Sequence, residues 1–210
     1  MTIAEPSPAP EPSRLILAST SIYRRELLAR LHLPFDVCAP EVDEAALPDE
    51  RPMDTAKRLA LAKARAVASR SQDAIVIGSD QVADLDGHAL GKPGTREGAV
   101  EQLRRMSGHM VVFHTAVAVL CLRTGFCATD IASVSVRFRD LDASAIDDYL
   151  ALEQPFDCAG SAKAEGLGIS LLEAIESDDP TALIGLPLIR TGRMLRAAGL
   201  AVPPRRSTNT

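Results

Sequence analysis

Near its start the chain changes hydrophobic period once, from a continuous apolar run to a helical repeat. Leu15–Ala18 is a four-residue apolar run that stops at Ser19-Thr20-Ser21. A short run of this kind reads as a buried strand. Leu27, Leu28 and Leu31 then recur at helical spacing, which predicts a helix over 22–31 with Ser21 as its N-cap. Residues 34–53 carry Pro34, Pro40, Pro48 and Pro52 among acids and read as loop, with a short strand at 35–38. Asp54 reads as the cap of a helix running to about Ser69. A Val/Ile strand at 74–78 ends at Ser79-Asp80-Gln81, and Asp86-Gly87 marks a hairpin between 82–85 and His88–Leu90.

The second half mixes the two periods. A helix from about Arg96 ends at Gly108, placed as a C′ glycine. Strands follow at 111–122 and 131–138. In the latter, Val134, Val136 and Phe138 alternate with Ser133, Ser135 and Arg137, so one face is buried and the other wet. A helix over 142–153 turns Ile146, Tyr149 and Leu150 inward. Residues 158–170, with Gly160, Gly166 and Gly168, read as loop, and Pro187 opens a last helix that ends near Gly199. The class is α/β around a mixed sheet. The proline-rich residues 1–13 and the stretch 203–210 read as disordered tails flanking one domain over 14–202.

Composition narrows the function. The chain is 46% apolar, enough for a packed core, and its net charge of −5 argues against a general nucleic-acid binder. The absence of Trp and the presence of only two Tyr argue equally against an array of stacked bases. Cys38, Cys121, Cys127 and Cys158 form no Cys-x-x-Cys pair, and no signal-like segment is seen, so they read as reduced cytosolic thiols. The four histidines lack zinc spacing, and no apolar run is long enough to span a membrane. A small anionic ligand remains open if basic residues gather in one place.

Several residues could do the gathering, and each has two readings. Ser19, Ser21, Arg24 and Arg25 at a helix start suit a phosphate, whose oxygens match exposed amides and forked guanidinium groups; equally, two arginines can be a solvated face. Asp80 stands where open α/β sheets bind ligands, and could position a divalent ion or take a proton from water; it could also cap the next turn. Lys63 lies on the buried stripe with Ala56, Leu59, Ala60 and Val67, so it either snorkels out or reaches an anion, since Lys57, Arg58 and Arg65 already supply a solvated face. Lys92, in Leu-Gly-Lys-Pro, is a phosphate ligand or an ordinary surface lysine. Glu41, Asp43 and Glu44 are a metal-competent cluster or solvated loop acids.

Taken together, Ser-Thr-Ser-x-x-Arg-Arg-x-x-Leu-Leu, Gly-Ser-Asp-Gln-Val, Leu-Gly-Lys-Pro and Ile-Gly-Leu-Pro-Leu, over about 14–200, resemble the Maf family of nucleoside triphosphate pyrophosphatases. The resemblance implies an elongated α/β fold, with a mixed twisted sheet and flanking helices in two lobes around a cleft, related to the inosine triphosphate pyrophosphatases. It implies hydrolysis between the α- and β-phosphates of a small nucleoside triphosphate, a divalent cation (magnesium or manganese), a homodimer, and no polymeric nucleic acid or membrane partner. By match of position it makes Asp80 the proton acceptor for the attacking water. Ser19, Arg24, Arg25, Lys63 and Lys92 match phosphate-binding residues, and Glu44 joins Asp80 at the metal.

Pro-Phe-Asp-Cys-Ala-Gly-Ser-Ala-Lys-Ala-Glu-Gly-Leu-Gly-Ile at 155–169 looks like the branch assigned to 7-methyl-GTP. The dTTP and UTP branch has Gln, Arg and Thr where Glu165, Tyr23 and Gln81 stand, which makes these three the expected specificity residues. A carboxylate can accept both donors of the guanine edge, and an aromatic face attracts the methylated, cationic base by roughly 0.5–2 kcal/mol. The alternatives are a broader pyrophosphatase for dTTP, UTP or modified nucleotides, or a regulatory binding protein of septum formation. Two departures bear on the pocket: Ile22 replaces the family's usual Pro, and Ala162 replaces the branch's usual aromatic residue.

Overall fold

The computed structural model describes residues 14–204. The tails expected at 1–13 and 203–210 lie outside them, except for Pro203 and Pro204. Twelve regular elements follow in order: β1 (Leu15–Ala18), α1 (Ile22–Ala29), β2 (Asp36–Cys38), α2 (Pro52–Ala68), β3 (Ile75–Leu85), β4 (His88–Leu90), α3 (Arg96–Met106), β5 (Met110–Cys121), β6 (Phe126–Phe138), α4 (Ala143–Glu153), β7 (Leu172–Glu176) and α5 (Leu188–Ala197). Six strands form the sheet path β2-β1-β3-β5-β6-β7, with β4 paired to β3. The β2-β1-β3 side is parallel, because helices return the chain to the same end; β3-β5-β6-β7 is antiparallel. The expected mixed α/β sheet is what forms.

Apolar side chains pack in two regions strung along the same long strands. At one end, Leu15, Leu17, Leu27, Leu28, Ile75 and Ile77 fill one sheet face under α1 and α5. The alternate positions Ile16, Ala18 and Val76 meet α2 on the other face. At the far end, Ala83, Leu103, Met106, Val134, Phe138 and Ile146 form a separate core under α3 and α4. Asp80 lies on β3 between these regions.

Helix α2 sits unusually close to the sheet. Ala56, Ala60, Ala64 and Ala68 recur every four residues and are fully buried. Beneath them is Gly78, where a Cβ would collide with the Ala60 carbonyl and stand 2.6 Å from the Ala64 nitrogen. Only small residues on both surfaces permit this approach. It brings Lys63, on the same stripe, down onto β3.

Several sequence expectations need correction. Helix α2 starts at Pro52 with Arg51 as its N-cap, so Asp54 is not the cap; it sits in the first turn and pairs with Arg51 at 2.6 Å. Proline is favoured in that first turn, where its missing N–H goes unused. Strand β3 does not end before Asp80 but runs on to Leu85, because β5 pairs with it from Val76 to Asp84. Strand β6 starts at Phe126, five residues earlier than its alternation suggests, held by pairing along the whole of β5. Strand β7 was not foreseen. Gly108 has φ +71° after α3, as a C′ glycine requires. Ile146, Tyr149 and Leu150 are buried as expected.

Ile22 is the first residue of α1 and half exposed, and Ser21 before it is extended (φ −68°, ψ 123°). Both conditions suit proline. Ile22→Pro is therefore expected to stabilise the fold by about 0.4–1 kcal/mol, read as a raised urea midpoint with unchanged slope.

Candidate active site

The crevice opens where β1 stops. Ala18, the last residue of β1, pairs with Gly78, and β3 continues past it on β5, with β4 joining its other edge only from Ala83. Asp80 is two residues beyond, opposite Ala116, and only 7% exposed. The strand end that matters is thus that of β1, not that of β3. Here the chain turns through Ser19 and Ser21 into α1.

Lys63 resolves its two readings at once. It does not snorkel to solvent; it is 4% exposed. Its Nζ donates to Asp80 Oδ1 at 2.7 Å and pairs with Glu44 Oε1 at 2.6 Å. One ammonium therefore joins a strand carboxylate to a loop carboxylate. Burial pushes the Asp80 carboxyl above its ordinary value; Lys63 and Arg24 resist that rise, and Glu44 adds to it. For Glu44, desolvation is outweighed by the Lys63 hydrogen bond and by the charges of Lys63, Lys92 and Arg24, so its carboxyl lies below the usual range.

The loop holding Glu44 is tied down by a clasp the sequence reading missed. Arg58 forks onto Glu50 (Nε–Oε1 2.6 Å, Nη2–Oε2 2.7 Å) and donates to the Ala45 carbonyl at 3.0 Å. Arg58 is thus not part of a merely solvated face. The acidic cluster splits. Glu41 pairs with Arg70, Asp43 accepts from the Ala45 amide at 2.9 Å, and only Glu44 turns inward.

The Arg24 guanidinium is held from two sides. Its Nε donates to the Gly185 carbonyl at 2.9 Å and its Nη1 to Ser19 Oγ at 3.5 Å, while Ser19 Oγ accepts from the Ser21 amide at 3.1 Å. Ser79 Oγ lies 3.1 Å from the same Gly185 oxygen. Burial lowers the Arg24 pKa against the pull of Asp80 and Glu44, whose fields reach it. Lys92 is exposed but close enough for its charge to act on Glu44. Arg25 is not drawn in; it is exposed and has no hydrogen bond or ion pair to these carboxylates. Consecutive helical residues point about 100° apart, so Arg24 and Arg25 cannot share one direction. Ser19, Arg24, Lys63, Glu44 and Asp80 form the site, with Lys92 at its rim.

The three expected specificity residues occupy different settings. Tyr23 is half-buried on α1, and the Lys163 ammonium lies 5.9 Å from its ring centre. Gln81 points to the sheet face opposite Asp80, as adjacent strand residues must. Its Nε2 lies within 2.8 Å of Thr115 Oγ1 and 3.0 Å of the Ala182 and Leu183 carbonyls, so it clasps β3 to the one-turn segment Ala182–Ile184. Glu165 stands in the loop after α4, its carboxyl pushed upward by partial burial and held back by its own backbone and Lys163. A groove of about 250 Å³ is lined by Ala164, Ile175, Ser177, Pro180, Leu183 and Ile184. Its walls thus adjoin Glu165 on one side and Gly185, the Arg24 acceptor, on the other.

Three cations facing two carboxylates leave an excess of positive charge, which suits a polyanion. No group of three or more His, Cys, Asp or Glu side chains forms a closed metal site among the described residues. Two carboxylates that already converge on one cation fit a magnesium-type ion, which takes one or two protein carboxylates and completes its shell from water and phosphate. All four cysteines are free, as expected. No helix among the described residues is long and apolar enough to cross a membrane.

Comparison with known proteins bears on the whole chain. A protein of Polaromonas sp. is 65% identical over 188 residues, covering 90% of this chain and 86% of that protein. One of Albidiferax ferrireducens is 61% identical, covering 90% and 95%, and one of Aromatoleum aromaticum 58%, covering 91% and 98%. Each of the three is named 7-methyl-GTP pyrophosphatase. A distant likeness to the solved Ham1 protein of Staphylococcus aureus (16% identity, TM-score 0.45, 61% of this chain and 73% of that one) carries no inference. The model of the Maf-like proteins matches residues 14–198, nearly every described residue, and with these relatives it makes the chain a member of the Maf family.

Proposed function

We propose that this chain is a nucleoside triphosphate pyrophosphatase that hydrolyses 7-methyl-GTP to 7-methyl-GMP and pyrophosphate. The observation that carries the reading is the Lys63 ammonium held between Asp80 and Glu44, with Arg24 in electrostatic reach of both. A triphosphate entering this crevice meets Arg24, Lys63 and Lys92 from three elements, with Arg25 at the outer edge. Asp80, the one deeply buried carboxylate of the group, orients or deprotonates a water in line with the α-phosphorus. The water oxygen bonds to that phosphorus, the bond to the bridging oxygen breaks, and pyrophosphate leaves. Positioning and charge neutralisation supply most of the rate in such a displacement.

Glu44 and Asp80 are the residues that would hold a magnesium or manganese ion, which supplies further neutralisation of phosphate charge. Such an ion would add to Lys63, Arg24 and Lys92 in offsetting the repulsion between the two carboxylates and the phosphates.

At the other end of the nucleotide, Tyr23 offers an aromatic face to the cationic base and Glu165 accepts from its N1–H and exocyclic amine. A raised carboxyl in that place favours a partner that donates two hydrogen bonds to it. The apolar groove beside Glu165 supplies a wall for a flat ring. Gln81 acts from behind, by fixing the segment that forms part of that wall. A broader substrate range has one observation in its favour: Ala162, half-buried, replaces a larger residue beside this region.

Pyrophosphate release across 7-methyl-GTP, GTP, dTTP and UTP, with and without magnesium or manganese, tests the reading directly. Turnover should be fastest with 7-methyl-GTP and vanish when the metal is chelated. A chain inert on all four would be a binding protein instead.

Asp80→Asn should lower kcat by roughly 10²- to 10⁴-fold while leaving the affinity for a non-hydrolysable nucleotide close to wild type by calorimetry. Glu165→Gln should cut the preference for 7-methyl-GTP over UTP by about tenfold or more, since an unmatched polar group costs roughly 1–3 kcal/mol; an unchanged ratio refutes the edge contact. Carbon-13 NMR titration of the free protein should place the Asp80 midpoint above the ordinary aspartate value. Because Lys63 favours the ionised form, Lys63→Met should move that midpoint higher still.

A further inference from the structure

Gln102 is a half-buried side chain on α3 whose two amide ends bond to two different loops. Its Nε2 donates to the Gly91 carbonyl at 2.9 Å, and its Oε1 accepts from Ser161 Oγ at 2.6 Å. The first loop joins β4 to α3 and carries Lys92. The second follows α4 and carries Glu165. Ala99, Leu103 and Met106 are buried on the same helix, so the amide is presented from a fixed part of the core under α3 and α4.

Each loop is also held on the other side of its functional residue. Lys92 lies between Gly91 and Gly94, and the Gly94 amide donates to the Phe156 carbonyl at 3.1 Å. Both ends of the Lys92 segment therefore lead to the loop after α4. Glu165 lies between Ser161 and Leu167, whose amide donates to Glu153 Oε2 at 2.9 Å. Ser161 is fully buried and has φ +53°. A residue other than glycine keeps that conformation where its surroundings hold it, and the bond to Gln102 is part of the hold.

We propose, resting on the 7-methyl-GTP reading, that Gln102 is a positioning residue that joins base recognition to phosphate binding. One amide fixes Gly91, next to Lys92, and Ser161, four residues before Glu165. Gln102 acts through these loops and touches neither base nor phosphate. It sets the spacing between a phosphate ligand and the carboxylate that reads the base. A spacing fixed in advance favours a nucleotide that must reach both, because the loops need not be ordered on binding. Inorganic tripolyphosphate depends on the Lys92 end alone, and choice among bases depends on the Glu165 end. The two ends of the amide are therefore separable.

The test reads two quantities: the dissociation constant of magnesium tripolyphosphate by calorimetry, and the ratio of kcat/KM for 7-methyl-GTP over UTP. Gln102→Leu removes both bonds. It should weaken tripolyphosphate binding by about threefold to tenfold and lower the ratio by a similar factor, the weight of one hydrogen bond at each end. Ser161→Ala removes only the bond on the base side, and should lower the ratio with tripolyphosphate binding unmoved. In a Lys92→Ala background, Gln102→Leu should no longer change tripolyphosphate binding; in a Glu165→Gln background it should no longer change the ratio. A lowered melting temperature with both quantities at wild type would make Gln102 a structural clasp and overturn the proposal. An effect that persists without Lys92 or without Glu165 overturns it as well. Should Gln102→Leu fail to fold, Ser161→Ala decides, and an unmoved ratio there is fatal. The wider reading fails separately. No pyrophosphate from 7-methyl-GTP with the wild-type protein sinks the substrate assignment, whereas normal turnover with both quantities unmoved in Gln102→Leu sinks only this one.

Discussion

A single ammonium buried between two carboxylates organises the crevice. Placing Lys63 and Asp80 out of water is costly, and such a pair adds little net stability compared with apolar residues of the same volume. Its value is geometric. Lys63 joins helix α2, strand β3 and the loop after β2 at one point, so the relative placement of the three is set by charge as well as by packing. Removing the Lys63 ammonium would leave the buried Asp80 carboxylate uncompensated, and breaking a buried pair in this way typically costs about 3–5 kcal/mol. The same arrangement keeps Asp80 poised between burial, which favours its proton, and two cations, which do not.

That interaction exists only because α2 lies so low on the sheet. The alanine stripe and Gly78 remove the side-chain layer that normally separates a helix from a sheet, and Lys63 then reaches β3 rather than solvent. Packing thus precedes electrostatics in the logic of the site. Farther out, the Arg58–Glu50 clasp performs for the loop what the alanines perform for the helix. The Gly185 carbonyl, bonded by Arg24 and within reach of Ser79, ties the third wall in place.

Most of the fold was legible because its signals are local. The period change at Ser19–Ser21, the Asp86-Gly87 turn and the C′ position of Gly108 each need only a few neighbouring residues. The failures came where distant partners decide. Nothing within 75–85 reveals that β5 carries β3 on past Asp80, and Thr129 and Asp130 hide the start of β6. The site was legible as a set of residue types, and its assignment to phosphate chemistry rested on the family's motifs rather than on spacing. What spacing could not foresee was direction. Arg24 turns in and Arg25 out, and of three clustered acids only Glu44 reaches Lys63. Arg58 carried no local signal, because its partners Glu50 and Ala45 lie outside its helix.

Strands β3, β5 and β6 run unbroken through both packed regions. A hinge between the halves would have to shear several rungs of hydrogen-bonded ladder at once. The floor of the crevice is therefore stiff, unlike that of enzymes whose two domains are joined by flexible linkers. Whatever adjusts to an incoming nucleotide must do so in the walls: rotating side chains, the acidic loop, and the glycine-containing segment after α4. Selectivity in such a molecule is a matter of loop chemistry laid over a fixed platform, and neighbouring members of the family could change their diet without redesigning the frame.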